Sequence, residues 1–556
     1  MTQVFRSKQR ILIPTHVSVT EAMLLTDPVH IPDDKVIFEE SVTGRTATYV
    51  TFKDQVKRTA SWLKHHLGLA PGDVVTIVST SSIGYVVATH AVWWLGGVVS
   101  MINDALSPKD LAYGLDLVRP KFLILGSGVV EKMNSALELS SHAPSIDSIL
   151  TMDQLPLDQY LSSNASEGAP EFDELPDVEP YSLQNADNRQ VLAAVVLSSG
   201  TTGRFKAVMM SHHNLIAANY QLRADNPSNW RPDMREIFFP PLSHVYATYV
   251  VMTGAPWLGY YVCLMPRFDL HSFCRLMSER KATMARLVPP VAKMLAESPI
   301  TKRYQYPFLE YFTCSAAPLS EAIAAKLRKT FPHVALCQTY GCTEASGACV
   351  QSGVRDKHMA LNATGKIIAN IELRFLDQFG QDVGPEGPGE ITIRGPNIMM
   401  GYLRDPHATK RDMLDGGWYK TGDLGYLNSE SYLIVNGRSK DTIKYNGFQV
   451  SPMELEEILL QHPAIDEVAV CGVWSDEAAT ELVRAYVAPK KGVERDGKTA
   501  GSIAKFLANQ VSGYKHLRGG VIFLDELPKS PTGKVLRRLL RDVCVKAEGS
   551  PFAARI

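Results

Sequence analysis

The sequence is short of the features that mark a special environment. Its eight cysteines include no Cys-x-x-Cys pair, which argues against a structural zinc site and against a disulfide framework, and favours reduced thiols. Charge of one sign is missing too. Lys and Arg total 57 against 58 Asp and Glu, a net charge of −1, so there is no electrostatic footprint for nucleic acid, and an anionic ligand must be met by local positive charge. The opening MTQVFRSKQRILIPTH lacks the long apolar core of a secretory signal. A long charge-free run occurs from Val74 to Asn103, but it holds Ser79, Thr80, Ser81, Ser82, His90 and the pair Gly96-Gly97. That composition predicts a buried strand, turn and helix rather than a membrane span. There is no internal repeat and no low-complexity tract.

What is present is an ordinary globular composition, 45% hydrophobic and 21% charged, in a chain of 556 residues that is too long for one core. A prior of about 150 residues per domain suggests about two to four units. Apolar runs such as YYVCLM (Tyr260 to Met265) and VALCQTYG (Val334 to Gly341) alternate with helical stretches such as SEAIAAKLRKTF, which predicts an α/β domain. From Arg374 to Gly401, glycines and prolines space short alternating strands and predict a β-rich subdomain. Beyond GWYKTGDLGYLNSESYLIVNGRSKDTIKYNGFQV comes SPMELEEILLQH. There Ser451 reads as an N-cap, Pro452 as the first helical residue and Glu454 as the other half of a capping box. The strands VAVCGV and LVRAYVAP then form a small α+β unit.

One loop carries a chemical signal of its own. The buried strand VLAAVVL, Val191 to Leu197, runs into LSSGTTGRFKAV. Ser198, Ser199, Thr201 and Thr202 offer hydroxyls, Gly200 and Gly203 allow close backbone approach, and Lys206 adds a positive charge. Phosphate is the natural guest, although a solvated turn has the same composition. The glycine spacing excludes a Walker P-loop, since two residues separate the glycines and no Ser or Thr follows the lysine.

Five further segments follow this loop in order: PLSHVYATY, QTYGCTEAS, GEITIRG, GWYKTGDLGY, and the pair NGRSKDTIKYNGFQVSPMELE with PKSPTGKVLRR. With them the chain resembles the adenylate-forming superfamily, most closely the 4-coumarate–CoA ligase and acyl-CoA synthetase branch that also includes firefly luciferase. The resemblance implies a mixed α/β fold. Its large N-terminal domain, residues 1–437, would have two α/β sheets and a β-rich subdomain, and residues 438–556 would form a small mobile α+β domain, with a hinge at Lys440. It implies MgATP-driven conversion of a carboxylic acid to an acyl-adenylate, with pyrophosphate leaving, and then transfer of the acyl group to coenzyme A.

The same resemblance implies residue roles. The loop from Ser198 to Gly203, with Lys206, would hold the departing phosphates. Lys534 would bridge the carboxylate and the α-phosphate as a compact charge on a flexible stem. Glu344 would bind magnesium, and Thr343 and Gly341 would lie against the nucleotide. Tyr340 would stack on adenine, opposite Ala316 and Ala317. Asp423 and Arg438 would take the ribose, and Lys444 and Gln449 the adenylate phosphate. His244 would orient the carboxylate in an acyl pocket built by Tyr246, Thr339, Gly347 and Ala348, and Gly447 would line the pantetheine tunnel. Residue type alone makes His244 a structural histidine, Tyr340 core, Asp423 a turn residue and Lys534 a solvated lysine. The pair His212-His213 has no third ligand nearby and reads as structural.

The chain departs from the family pattern at Arg204-Phe205, at Ala207, at Thr339 and at Asn436-Gly437. The last change removes a frequent acidic neighbour of Arg438 and places a glycine near the hinge, and Thr339 adds bulk beside the acyl pocket. An enzyme loading a carrier-protein phosphopantetheine, or a non-catalytic nucleotide or acyl-CoA binding protein, are the alternative functions. The retention of Lys534, Glu344 and Lys206 argues against the latter. Ala554-Arg555-Ile556 follows the small, basic, aliphatic pattern of a peroxisomal address, which would make the import receptor a partner and the peroxisome the location.

Overall fold

A computed structural model describes residues 3–157, 175–199, 205–356, 359–384, 387–446, 448–475, 478, 480–530, 533–537 and 539–540. Gly200, Thr201, Thr202, Gly203, Gly447 and the tripeptide Ala554-Arg555-Ile556 lie outside these.

The charge-free run folds as expected. Val74–Val78 and Val98–Met101 are neighbouring parallel strands, and between them Ile83–Trp94 is a helix with every residue buried. No helix among the described residues is long and apolar enough to cross a membrane. These strands belong to a seven-stranded sheet that also contains Leu192–Ser199, Phe205–Ser211 and, at its edge, Gly401–Tyr402. β-Branched and small residues fill its middle because both faces are covered by helices. A second sheet has four strands, among them Arg235–Phe238 and Tyr261–Leu264.

The third sheet has eleven strands and changes character along its length. Met284–Leu287, Tyr311–Cys314 and Ala335–Cys342 are parallel, whereas Ala335–Cys342 pairs on its other side with the antiparallel Gly347–Gln351. The β-rich stretch continues this same sheet through Glu372–Leu376, Gly389–Arg394, Trp418–Leu427 and Leu433–Arg438. The junction of the two halves therefore falls at Tyr340 and Gly341, where the register shifts. Gly341 is required there: a Cβ would stand 1.9 Å from the Gly347 carbonyl oxygen.

One crossing segment ties the layers together. Asn214, in the helix after Phe205–Ser211, donates to the carbonyls of Pro396 and Ile398. Met399 N–H then donates to Glu344 O, and Met400 N–H to Met209 O. The eleven-stranded and seven-stranded sheets are thus fastened to each other beside Glu344.

After Arg438 the chain forms a smaller α+β unit. It comprises the hairpin Ile443–Tyr445 with Phe448–Val450, the sheet of Ile465–Ser475, Thr480–Pro489 and Val521–Phe523, and the helices Pro452–Leu459 and Gly497–Ala508. Its separate core includes Ile443, Leu455, Leu459, Val470 and Ile503. Pro452 does open its helix, but the expected capping box is not made. The Ser451 hydroxyl donates instead to the Asn436 carbonyl at 2.9 Å, and Glu454 pairs with Lys515. A contact back to the strand Leu433–Arg438 has displaced the local cap.

Candidate active site

The strand expected to run into the hydroxyl-rich stretch extends to Ser199, and the next strand opens at Phe205. Ser198 and Lys206 face each other across antiparallel strands, so both belong to the sheet. Ser198 is buried, and its hydroxyl has no hydrogen-bond partner among the described residues. Lys206 Nζ lies 2.7 Å from Asp412 Oδ2 and 4.3 Å from the Tyr402 ring centroid. The Tyr402 hydroxyl reaches Asp412 Oδ2 at 3.3 Å and donates to Glu344 Oε1 at 3.2 Å. A polar chain thus joins Lys206 to Glu344. Burial pushes the Asp412 carboxyl up, but hydrogen bonds from Arg411 and Lys206 win and hold it down at about 2. Lys440, in the turn Ser439–Asp441, faces the same cluster; burial and the like charges of Arg411, Lys206 and Arg438 lower its ammonium pKa.

A second group forms at the sheet junction. The Tyr340 hydroxyl donates to Asp423 Oδ2 at 2.8 Å, and Arg438 Nε stands 3.2 Å from Asp423 Oδ1. Asp423 and Arg438 are partners in register on adjacent strands. Arg438 therefore has a carboxylate partner despite Gly437, whose φ of +120° only glycine adopts without strain. Thr343 and Glu344 begin the short turn that follows Tyr340 and Gly341, with Glu344 buried. Ala316 is exposed with a φ of +73°, and Ala317 follows it at the carboxyl end of Tyr311–Cys314.

Lys534 arrives at this group from the smaller unit. Burial and the like charge of Arg438 lower its ammonium from 10.5 to about 8, with Asp423 and Asp441 acting against that shift. The approach is packed. A Cβ on Gly533 would lie 2.9 Å from Pro290 Cγ, and Lys293 forms an ion pair with Asp466 at 2.6 Å. Lys444 is exposed on its hairpin, in register with Gln449, and no contact joins it to Tyr340, Asp423 or Arg438 among the described residues.

The pocket residues meet along one wall. His244 caps the turn Val245–Ala247, with Nδ1 accepting from the Tyr246 N–H at 3.2 Å. The neutral ring therefore carries its proton on Nε2, and burial lowers the imidazolium pKa to about 4. Tyr246 stacks on Phe238 and meets the edge of Tyr249. Gly347, with a φ of +128°, makes room for that ring, since a Cβ would lie 2.5 Å from Tyr249 Cδ1. Ala348 is buried beside it. Thr339, Tyr249, Trp230 and Arg286 line a cavity of about 10 Å³.

His212 and His213 are structural. His212 Nδ1 accepts from Val19 N–H at 3.0 Å, and His213 Nδ1 lies 3.0 Å from Asn188 Oδ1. No group of three or more His, Cys, Asp or Glu side chains able to hold a metal is found among the described residues. The motifs did not reveal Tyr402, Asp412, Glu236 or Arg286. For the last two a signal existed: Glu236 in REIF and Arg286 in MARL each stand beside apolar strand residues, and a charge in such a strand implies a buried partner.

The AMP-binding enzyme profile matches residues 29–403, and the profile of the C-terminal domain of AMP-binding enzymes matches residues 454–534. The chain belongs to the adenylate-forming enzymes. It is similar to 4-coumarate–CoA ligase 1 of Petroselinum crispum, with 32% identity over 97% of this chain and 96% of that one. A probable 4-coumarate–CoA ligase 2 of Dictyostelium discoideum is 30% identical over 92% of each chain. Among solved structures, ATP-bound MatB from Rhodopseudomonas palustris superposes with a TM-score of 0.79 at 26% identity, over 92% of this chain and 96% of that one. The adenylate-forming enzyme described here is accordingly an AMP-forming acid–thiol ligase, and its two-part architecture is that of the family.

Proposed function

We propose that this ligase activates an aromatic, medium-chain fatty or secondary-metabolite acid as its acyl-adenylate and passes the acyl group to coenzyme A. The observation that carries the reading is Lys534, drawn from the smaller unit into the field of Asp423, Arg438 and Asp441. A ribose held by Asp423 and Arg438, with its adenine stacked on Tyr340 opposite Ala316 and Ala317, would direct the α-phosphate toward Thr343 and Lys534. The reaction brings a carboxylate to a phosphate, so its barrier is electrostatic and falls when positive charge faces the developing oxyanion. With a pKa of about 8, Lys534 remains mostly an ammonium at neutral pH. Neutral His244 donates from Nε2 and orients the acid without competing for that charge.

Lys206 leaves Asp412 to meet the β- and γ-phosphates, with Ser198 to Gly203 around them. Glu344 suits magnesium: it is a buried carboxylate engaged at Oε1 by Tyr402, and this ion takes one or two carboxylates plus phosphate and water oxygens. When bound, the ion would offset phosphate charge. In this reading residues 1–437 bind nucleotide and acid, residues 438–556 turn about Lys440, and Lys444, Gln449 and Gly447 exchange places around the adenylate and the pantetheine arm. On its tripeptide pattern alone, Ala554-Arg555-Ile556 assigns the enzyme to the peroxisome through the import receptor. Deleting those three residues should then disperse a peroxisomal signal.

The decisive experiment measures ATP-dependent pyrophosphate release over a panel of carboxylic acids, with and without coenzyme A, and detects the thioester by mass. Pyrophosphate together with thioester is expected. Pyrophosphate without thioester would overturn coenzyme A as the acceptor in favour of a carrier protein.

A further inference from the structure

Arg286 lies inside the molecule with 4% of its side chain exposed, and Glu236 beside it is fully enclosed. Nε of Arg286 donates to both carboxylate oxygens of Glu236, at 3.1 and 2.9 Å. Nη1 reaches the Tyr246 hydroxyl at 3.5 Å, and the guanidinium lies 4.8 Å from the Trp230 ring centroid and 5.5 Å from that of Tyr246. Nη2 is buried and has no hydrogen-bond partner among the described residues. An unmet buried donor is costly, the more so when it is charged, so its persistence calls for an occupant. Thr339, Thr313, Gln351 and Ser352 make the adjoining cavity polar.

Two features restrict that occupant. Glu236 already balances the charge of Arg286, so a second carboxylate would leave a net negative charge in a dry site. The space is also small: about 10 Å³ is room for about one water-sized atom. Tyr246 connects the place to the reacting end, because its backbone N–H binds His244 and its hydroxyl binds Arg286.

We infer that Arg286 forms a neutral-acceptor subsite one tyrosine length from His244, selecting carboxylic acids whose far end carries a single uncharged oxygen, a hydroxyl or carbonyl. This assignment rests on the ligase reading for its use, but the subsite itself can be read by binding alone. Such acids should bind more tightly than their hydrocarbon equivalents, and dicarboxylates more weakly than the hydroxy acids.

The test is calorimetric binding to the full-length protein with a non-hydrolysable ATP analogue present. The probes are cinnamate with its para-hydroxy and para-carboxy derivatives, and octanoate with its terminal hydroxy and terminal carboxy derivatives. A charged-donor hydrogen bond predicts at least about tenfold tighter binding of the hydroxy acid in one set. The paired replacement Glu236→Leu with Arg286→Met, which avoids a lone buried charge, should shrink that ratio to about twofold or less. Equal or tighter binding of the unsubstituted acids in both sets, tightest binding of a dicarboxylate, or a ratio unchanged in the double variant would overturn the subsite and leave Arg286 with a structural water. The wild-type comparison decides even if the double variant does not fold. Pyrophosphate exchange with the same acids reads the ligase separately. Discrimination without exchange overturns the ligase alone, whereas exchange without discrimination overturns the subsite alone.

Discussion

Asp423 and Arg438 face each other across two antiparallel strands with 3.2 Å between their charged atoms, and Lys534 enters their field from a different part of the chain. The carboxylate proposed to bind the ribose hydroxyls and the lysine proposed to stabilise phosphate charge are thereby held at one place. The arrangement suits the first half of the reaction.

Lys534→Ala should lower pyrophosphate exchange by about 10²- to 10³-fold, the usual effect of losing one preorganised donor. Thioester formation from preformed acyl-adenylate should fall far less. Single-turnover measurements of both halves check this; equal losses in the two would refute the assigned role.

A pH dependence follows from the same residue. The ammonium form is the active one, and its pKa is lowered to about 8 in the free enzyme, so kcat/KM for adenylation should decline as pH rises above about 8. Lys534→Arg cannot lose its proton in that range and should abolish the decline in whatever activity it retains.

Asp412 makes a prediction about stability. Its folded pKa of about 2 lies below the ordinary 3.8, so its stabilising contribution is present above about pH 4 and is lost as pH falls toward 2. The shift corresponds to about 2 kcal/mol. Urea unfolding at pH 6 and pH 3 should show Asp412→Asn less stable than the native protein at the higher pH, with the gap narrowing at the lower.

Gly437→Ala should destabilise by about 1–2 kcal/mol. The nearest atoms to an added Cβ are 3.9 Å away, so the cost is backbone strain at φ +120° and not collision. Thermal unfolding measures it, and a neutral result would show that this backbone relaxes.

The sequence made the fold class and the motif residues legible because each motif fixes residue type, order and spacing together. Tyr340, Asp423, Arg438 and Lys534 do converge, and His244, Tyr246 and Gly347 meet along a wall completed by Tyr249, which the motifs did not reveal. The partners of Lys206 were not legible: Asp412 is 206 positions away, and nothing in GYLRDPHATKRDML marks one carboxylate among its neighbours. The capping box after Ser451 failed for the opposite reason, since a local rule yielded to a contact with Asn436. The Arg286–Glu236 pair depends on two strands that only the folded molecule brings side by side.

The segment from Pro396 to Met400, which fastens the two large sheets beside Glu344, has a mechanical consequence. With Lys206 on one sheet and Glu344 in the turn that follows a strand of the other, any sliding between them would pull Lys206 away from Glu344. The fastening makes these two layers behave as an anvil. In the proposed cycle the travel is left to the smaller unit, which would strike with Lys534 and withdraw while the surface beneath keeps its shape.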